Sequence, residues 1–173
     1  MTAPLLEQLG AHDRALMLRW AISPSAGGAS RAGWTAVTHA GGGASSVLAT
    51  ALPALGCCAL RRAALLAAVT LAVSHLLVQV MKRTIGRGRP SAAGCAPIVC
   101  EPDRFSFPSG HAAAAMSVAL GYGLVFPLWA GPLLVVALTV GFSRVRLGVH
   151  YPSDVVAGQL LALLTCLAAF AVL

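Results

Sequence analysis

Charge is what this chain has least of. Only 10% of its 173 residues are Asp, Glu, Lys or Arg, whereas a soluble domain carries about 25%. Five residues are acidic, and three stretches, residues 63–81, 105–143 and 155–173, contain no charged side chain. A bilayer-spanning helix needs about 20 apolar residues, and a charge at mid-membrane costs a few kcal/mol. A soluble protein of this composition would have too little polar surface, so the chain reads as an integral membrane protein. Zinc-like Cys/His spacing is also missing, and so are the cationic start and long apolar core of a signal peptide.

The five cysteines carry little redox information. Cys57, Cys58 and Cys166 lie in apolar segments and read as small buried hydrophobes. Cys95 and Cys100 share a polar loop and would be placed to bridge if that loop faces an oxidising compartment.

Hydrophobic residues make up 58% of the chain, its mean hydropathy is +0.82, and its length suits one domain. The net charge of +7 does not suggest nucleic acid, because the basic residues are not spread over a polar face. Arg61 and Arg62 flank one apolar segment, while Lys82, Arg83, Arg87, Arg89, Arg104, Arg144 and Arg146 cluster in or between three short motifs. Anionic headgroups or a phosphorylated substrate account for them better.

Residues 1–31 form the polar end. Leu5, Leu9, Leu16 and Trp20, with charges between them, suit a helix lying in the membrane interface, followed by a Ser/Gly/Ala-rich loop. Residues 32–173 are expected to form a single transmembrane domain with catalytic loops at 82–111 and 143–154. A weak first span covers residues 34–60, which contain Gly41, Gly42, Gly43 and Pro53. Clear spans follow at 63–81 and 111–126, then a tight turn at 127–132, a shorter span to Phe142 and a last one over 154–173. The fold class expected is an all-α, polytopic transmembrane helix bundle of about five spans plus the interfacial helix. Counting crossings brings all three motifs to one membrane face.

The first motif, Lys82 to Pro90, reads KRTIGRGRP. Lys82 offers a compact charge and Arg89 a planar fork that pairs two phosphate oxygens, and Gly86 and Gly88 allow a turn that converges them. Alone, it would sooner be a membrane-flanking basic cluster. The second reads PSGH, residues 108–111, before an alanine-rich run. Ser109 suits an N-cap, and the free N–H groups of a helix start, including that of Gly110, bind anions. His111 then sits in the first helical turn. Alone, an ordinary helix cap would explain it as well. The third reads SRVRLGVHYPSD, residues 143–154. Arg144 accompanies His150, and Asp154 follows four residues later. A carboxylate that accepts Nδ1–H fixes the tautomer and leaves Nε2 free, the arrangement of a histidine nucleophile with its orienting partner. His39, His75, Gln79 and Gln159 have no motif partner and read as neutral groups hydrogen-bonded between helices.

Taken together, these segments resemble the signature of the type 2 phosphatidic acid phosphatase superfamily: Lys-x6-Arg-Pro, Pro-Ser-Gly-His and Ser-Arg-x5-His-x3-Asp, all present between residues 82 and 154. Members commonly have six transmembrane helices, so the N-terminal topology departs from the pattern. The resemblance implies a phosphohistidine mechanism. His150 would attack phosphorus, Asp154 would orient it, and His111 would protonate the leaving oxygen and then activate water. Lys82, Arg89 and Arg144, with Ser109 and Gly110, would hold the phosphate oxygens. No metal or cofactor is expected, in keeping with the lack of a carboxylate cluster suited to Mg2+.

The function expected is a membrane phosphatase for lipid phosphate monoesters or diphosphates (phosphatidate, phosphatidylglycerophosphate or polyprenyl phosphates). Its partner is the lipid in the bilayer, with no nucleic acid. A phosphotransferase using the same site, a vanadium-dependent haloperoxidase and a non-catalytic lipid-binding or flipping protein are the alternatives. The haloperoxidases are soluble and larger, which the composition opposes. Arg61 and Arg62 on the inner side would leave the motif face outside a bacterial plasma membrane.

Overall fold

The apolar stretches that lack charge become helices whose greasy sides face outward. A computed structural model describes residues 3–23, 25–93, 97–101 and 103–172. Seven α-helices follow in order: α1 (Ala3–Trp20), α2 (Gly28–His39), α3 (Gly43–Ala51), α4 (Cys58–Ile85), α5 (Gly110–Val125), α6 (Pro127–Arg146) and α7 (Pro152–Val172), with 3-10 turns at Pro53–Leu55 and Pro90–Ala93. Three of them, α4, α6 and α7, are long and apolar enough to cross a membrane, and Gly43–Leu55 and Gly110–Val125 are shorter apolar segments. The chain is an all-helical integral membrane protein.

On α4 the exposed side is Leu65, Val69, Val73, Leu76 and Val80, recurring every three or four residues, whereas Ala63, Ala67, Thr70 and Ser74 are buried. Large apolar groups outside and small or polar groups inside is the pattern of a helix solvated by lipid, where close backbone approach drives packing. The central helix is α5, whose buried residues include the run Ala112, Ala113, Ala114 and Ala115. It packs on α4, α6 and α7. Where it crosses α4, a Cβ on Gly121 would stand 2.6 Å from Ala67 Cα, so glycine sets that separation. Deeper polar groups pair across the same interface, with Ser74 Oγ 3.0 Å from Ser117 Oγ. The core continues through Met116, Ala119, Ala137, Val140 and Ala162.

Two expectations change. The weak span over 34–60 is not one helix, because the chain breaks after His39 at the glycine run and again at Pro53, leaving α2, α3 and a 3-10 turn. The tight turn at 127–132 contracts to Phe126. Pro127 opens α6, where its missing N–H costs nothing, and Pro132 is carried inside the helix.

The N-terminal helix docks beside the ends of α6 and α7. Met17 is wholly buried against Ala112, Val145, Tyr151 and Val155. Two hydrogen bonds hold this corner: Ile22 N–H donates to Arg146 O at 2.9 Å, and the Arg146 side chain donates from Nη1 to Trp20 O at 2.8 Å.

Candidate active site

Every motif residue sits at a helix end or in the loop beside it, and all of those ends are on one side of the bundle. Lys82 occupies the last turn of α4, which stops at Gly86 in the left-handed conformation, φ 65°. The chain then turns back, with Gly88 bridging Phe105, and presents Arg89. Arg89 is tightly held: Nε donates to Asp103 O at 2.6 Å, Nη2 to Asp103 Oδ1 at 3.1 Å and Nη1 to Val149 O at 3.0 Å. That same Nη1 lies 3.4 Å from His150 Nε2. Lys82 Nζ donates to the other oxygen of Asp103 at 2.7 Å.

Ser109 is the N-cap of α5. Its carbonyl accepts Ala113 N–H at 3.1 Å, and its own N–H donates to Asp154 O at 2.9 Å. Its hydroxyl is buried without a hydrogen-bond partner among the described residues, so it caps by backbone alone. Arg144 lies in the last turn of α6; Nη1 donates to Thr38 Oγ1 of α2 at 2.7 Å, and Nε is buried without a partner among the described residues. The loop after α6 is anchored by Leu147 and Val149, both fully buried, which fixes His150 between them and α7.

His150 and Asp154 sit in contact. Asp154 Oδ2 is 3.5 Å from His150 Nδ1, beyond ordinary hydrogen-bond length, and accepts Tyr151 N–H at 2.9 Å. Its other oxygen accepts Arg87 Nη1 at 2.7 Å. Lys82, Arg89, Gly110, His111, Arg144 and His150 all line one cavity of about 640 Å3. Ser109 and Asp154 are not on its wall but lie directly behind it, fully buried.

Three cations, Lys82, Arg89 and Arg144, are thus almost completely buried around this cavity, with Asp103 the carboxylate bonded to two of them. Burying a cation costs free energy unless an anion balances it. With one carboxylate against three cations, this end of the cavity can hold a multiply charged anion. Asp103 feels the same field: partial burial opposes its charge, but Lys82 and Arg89 outweigh that and hold its carboxyl below the usual range. The His150 imidazole is pushed down to about 4, first by burial and then by Arg144 and Arg89, with Asp154 working in the opposite direction. It is therefore neutral at physiological pH, with a lone pair available on one nitrogen.

Four participants were not legible as site residues. Asp103 is one of only five acids in the chain, a signal that could have singled it out. Arg87 lies inside the first motif, but its spacing gives no hint that it bonds Asp154. Asp13 of α1 accepts Arg87 Nη2 at 2.6 Å and Ser153 N–H at 3.0 Å, and also takes the Ser153 hydroxyl. Burial opposes the Arg87 charge, but Asp154 and Asp13 together raise its pKa above the usual guanidinium value. Thr38 of α2 carries no signal at all. Of the motif-free groups, Gln159 reaches across helices to Ala137 O at 3.4 Å, as expected. His75 does not: its Nε2 is 3.3 Å from Gln79 Nε2 on the same helix. His39 Nδ1 likewise meets Thr35 O, four residues back on α2. Cys95 lies outside the described residues, and with it the expected bridge to Cys100.

Comparison with known proteins agrees with this geometry. A family model described as the PAP2 superfamily matches residues 63–173, which hold all three motifs. The chain belongs to the PAP2 superfamily. Among its PAP2 relatives it is 37% identical over 95 residues to lipid A 1-phosphatase of Rhizobium johnstonii, covering 51% of this chain and 39% of that protein. It is 38% identical over 127 residues to decaprenylphosphoryl-5-phosphoribose phosphatase of Mycolicibacterium smegmatis, covering 73% and 63%. It is 40% identical over 114 residues to phosphatidylglycerophosphatase B of Bacillus subtilis, covering 58% and 53%. In each case the match spans less than two thirds of the relative. The crystal structure of a transmembrane PAP2 type phosphatidylglycerolphosphate phosphatase from Bacillus subtilis superposes with a TM-score of 0.76 at 27% identity, covering 95% of this chain and 85% of that one. Aquifex aeolicus LpxE shares the fold with a TM-score of 0.70 at 21% identity, covering 85% and 88%.

Proposed function

We propose that this PAP2 protein is an integral membrane phosphatase that hydrolyses phosphate monoesters or diphosphates of lipids through a phosphohistidine. The observation behind this reading is the shape of the cavity that His150 lines. It starts at Lys82, Arg89, Arg144 and His150 and continues between α3 and α4 to Val47, Leu71 and Ala68. On α4 the lining residues run from Lys82 back to Ala68, a distance of about 21 Å at 1.5 Å per residue. A phosphate at the cationic end and an acyl or prenyl tail at the other match that gradient.

In the proposed reaction His150 Nε2 attacks phosphorus in line. The N–P bond forms as the P–O bond to the lipid breaks, and His111 gives its proton to the departing oxygen. His111 then takes a proton from water, which attacks phosphorus, breaks the N–P bond and releases inorganic phosphate. Lys82, Arg89, Arg144 and the Gly110 N–H hold the equatorial oxygens as charge builds on them, while Ser109, expected from the sequence to join them, lies behind the cavity wall and caps α5 instead. Asp154, fixed from behind by Arg87 and Tyr151 N–H, keeps the imidazole oriented. No step in this scheme calls on a metal ion. We place the protein in a bacterial plasma membrane with the site on the outer face, because Arg61 and Arg62 lie at the end of α4 remote from Lys82.

Phosphate release from a panel of pure lipid phosphates and diphosphates in detergent micelles tests this reading. Release by the wild type that His150→Ala abolishes supports it, and no release from any lipid tested refutes it.

A further inference from the structure

Between its cationic and apolar ends the cavity has a third zone that phosphate chemistry does not use. Ser46 of α3 and His75 and Gln79 of α4 all line it. Gln79 lies three residues from Lys82 and His75 seven, about 5 and 10 Å along the helix axis. Their side chains are joined, His75 Nε2 to Gln79 Nε2 at 3.3 Å, which sets both beside the same stretch of the cavity. Ser46 is 2% exposed and its hydroxyl has no hydrogen-bond partner among the described residues. Thr50, one turn further on, shows what a membrane-buried hydroxyl ordinarily does, bonding back to Ser46 O at 3.1 Å and Val47 O at 3.0 Å. Ser46 makes no such bond.

Polar side chains in a membrane-embedded cavity carry a desolvation cost unless something bonds them. A tail that was pure hydrocarbon from the phosphate ester onward would leave Ser46, His75 and Gln79 facing methylene groups. A lipid with neutral oxygens a few bonds beyond the phosphorus would satisfy them.

Building on the phosphatase reading, we propose that Ser46, His75 and Gln79 form a subsite for a neutral, oxygen-bearing linker between phosphate and tail, and so select such lipids over simple alkyl or prenyl phosphates. The linker chemistry is that of uncharged hydrogen-bonding oxygens, whether glycerol ester carbonyls or sugar hydroxyls. The three residues are specificity-determining and stand apart from the reacting atoms. A site built around a substrate's hydrogen-bonding groups discriminates strongly against analogues that lack them, since its own polar groups are then left unpaired.

The test compares kcat/KM for dioleoyl phosphatidate, a glycolipid phosphorylated on its sugar, and hexadecyl phosphate, which has no oxygen beyond the ester. Wild type, Ser46→Ala and the pair His75→Leu with Gln79→Leu are each assayed as full-length protein in mixed micelles. The expected result is a wild-type preference for one oxygen-bearing lipid over hexadecyl phosphate. That preference ratio falls about tenfold or more in the double variant and severalfold in Ser46→Ala. Whichever lipid loses its advantage identifies the linker as ester or sugar. A ratio that does not move overturns the subsite, whether the rates hold or fall together, since a common fall reports only a damaged scaffold. Release from none of the three while a polyprenyl diphosphate is hydrolysed also overturns the subsite, whereas release from no lipid of the wider panel overturns the phosphatase reading on which the subsite rests.

Discussion

Arg87 Nη1 donates to Asp154 Oδ1 at 2.7 Å, and this bond ties the carboxylate behind His150 to the N-terminal helix. Arg87 Nη2 reaches Asp13 at 2.6 Å, while Arg87 is not on the wall of the cavity that Lys82, Arg89 and His150 line. Its role in the proposed mechanism is to position Asp154, not to touch substrate.

Arg87→Gln is therefore expected to lower kcat about 10- to 100-fold with KM changed less than about threefold, and Arg87→Lys to recover part of the loss. Asp154→Asn, which removes the orienting charge itself, should cost about 10²- to 10⁴-fold in kcat, by analogy with other carboxylate–histidine pairs. Asp13→Asn should act in the same direction but more weakly. Steady-state kinetics with one lipid phosphate checks all four variants. A rise in KM with kcat intact would make Arg87 a phosphate ligand instead.

His150 supplies a pH test. Its nucleophilic form is the neutral one, and burial with Arg144 and Arg89 nearby brings its pKa down to about 4. Activity that depends on it is present above that value and lost only as pH falls through it. The acid limb of kcat/KM, corrected for ionisation of the substrate, should lie near pH 4. A limb at the ordinary histidine value of about 6.5 would show that the imidazole is not shielded as the structure has it.

The motif residues could be read from sequence because each sits at the end of an apolar run, where a charge is conspicuous. Lys82, His111, Arg144 and Asp154 all mark the last or first turn of a helix, and crossing order alone brings those ends to one face. The partners that fix them are another matter. Asp13 bonds Ser153 across 140 residues, and Thr38 bonds Arg144 across 106, and no local pattern ties such pairs together. The broken helix over α2 and α3 was half legible: its glycines and Pro53 weakened the span, but a glycine run alone does not say whether a membrane helix packs closely or stops. Pro127 and Pro132 misled in the opposite way, since proline is a turn signal and also a good first residue of a helix.

The membrane orientation is testable with cysteines already present. Cys166 is buried as expected, but Cys57 and Cys58 are not: both are exposed at the start of α4, and Cys100 is exposed in the loop beside the site, at the opposite end of that helix. With the site outward, an impermeant thiol reagent applied to intact cells after mild reduction labels Cys100 and spares Cys57 and Cys58. The reverse pattern, scored on single-cysteine variants, would put the site on the cytoplasmic side.

The central claim is that His150 carries the phosphoryl group, and trapping that group tests it most directly. Rapid acid-free quenching of the wild type during turnover of a lipid labelled with ³²P in its terminal phosphate should give a phosphoprotein stable to base and labile to acid. Mapping should place it on the peptide containing His150. His150→Gln should form none and should release phosphate at least about 10³-fold more slowly. Phosphate release by His150→Gln at the wild-type rate, or label on a different residue, would contradict the account.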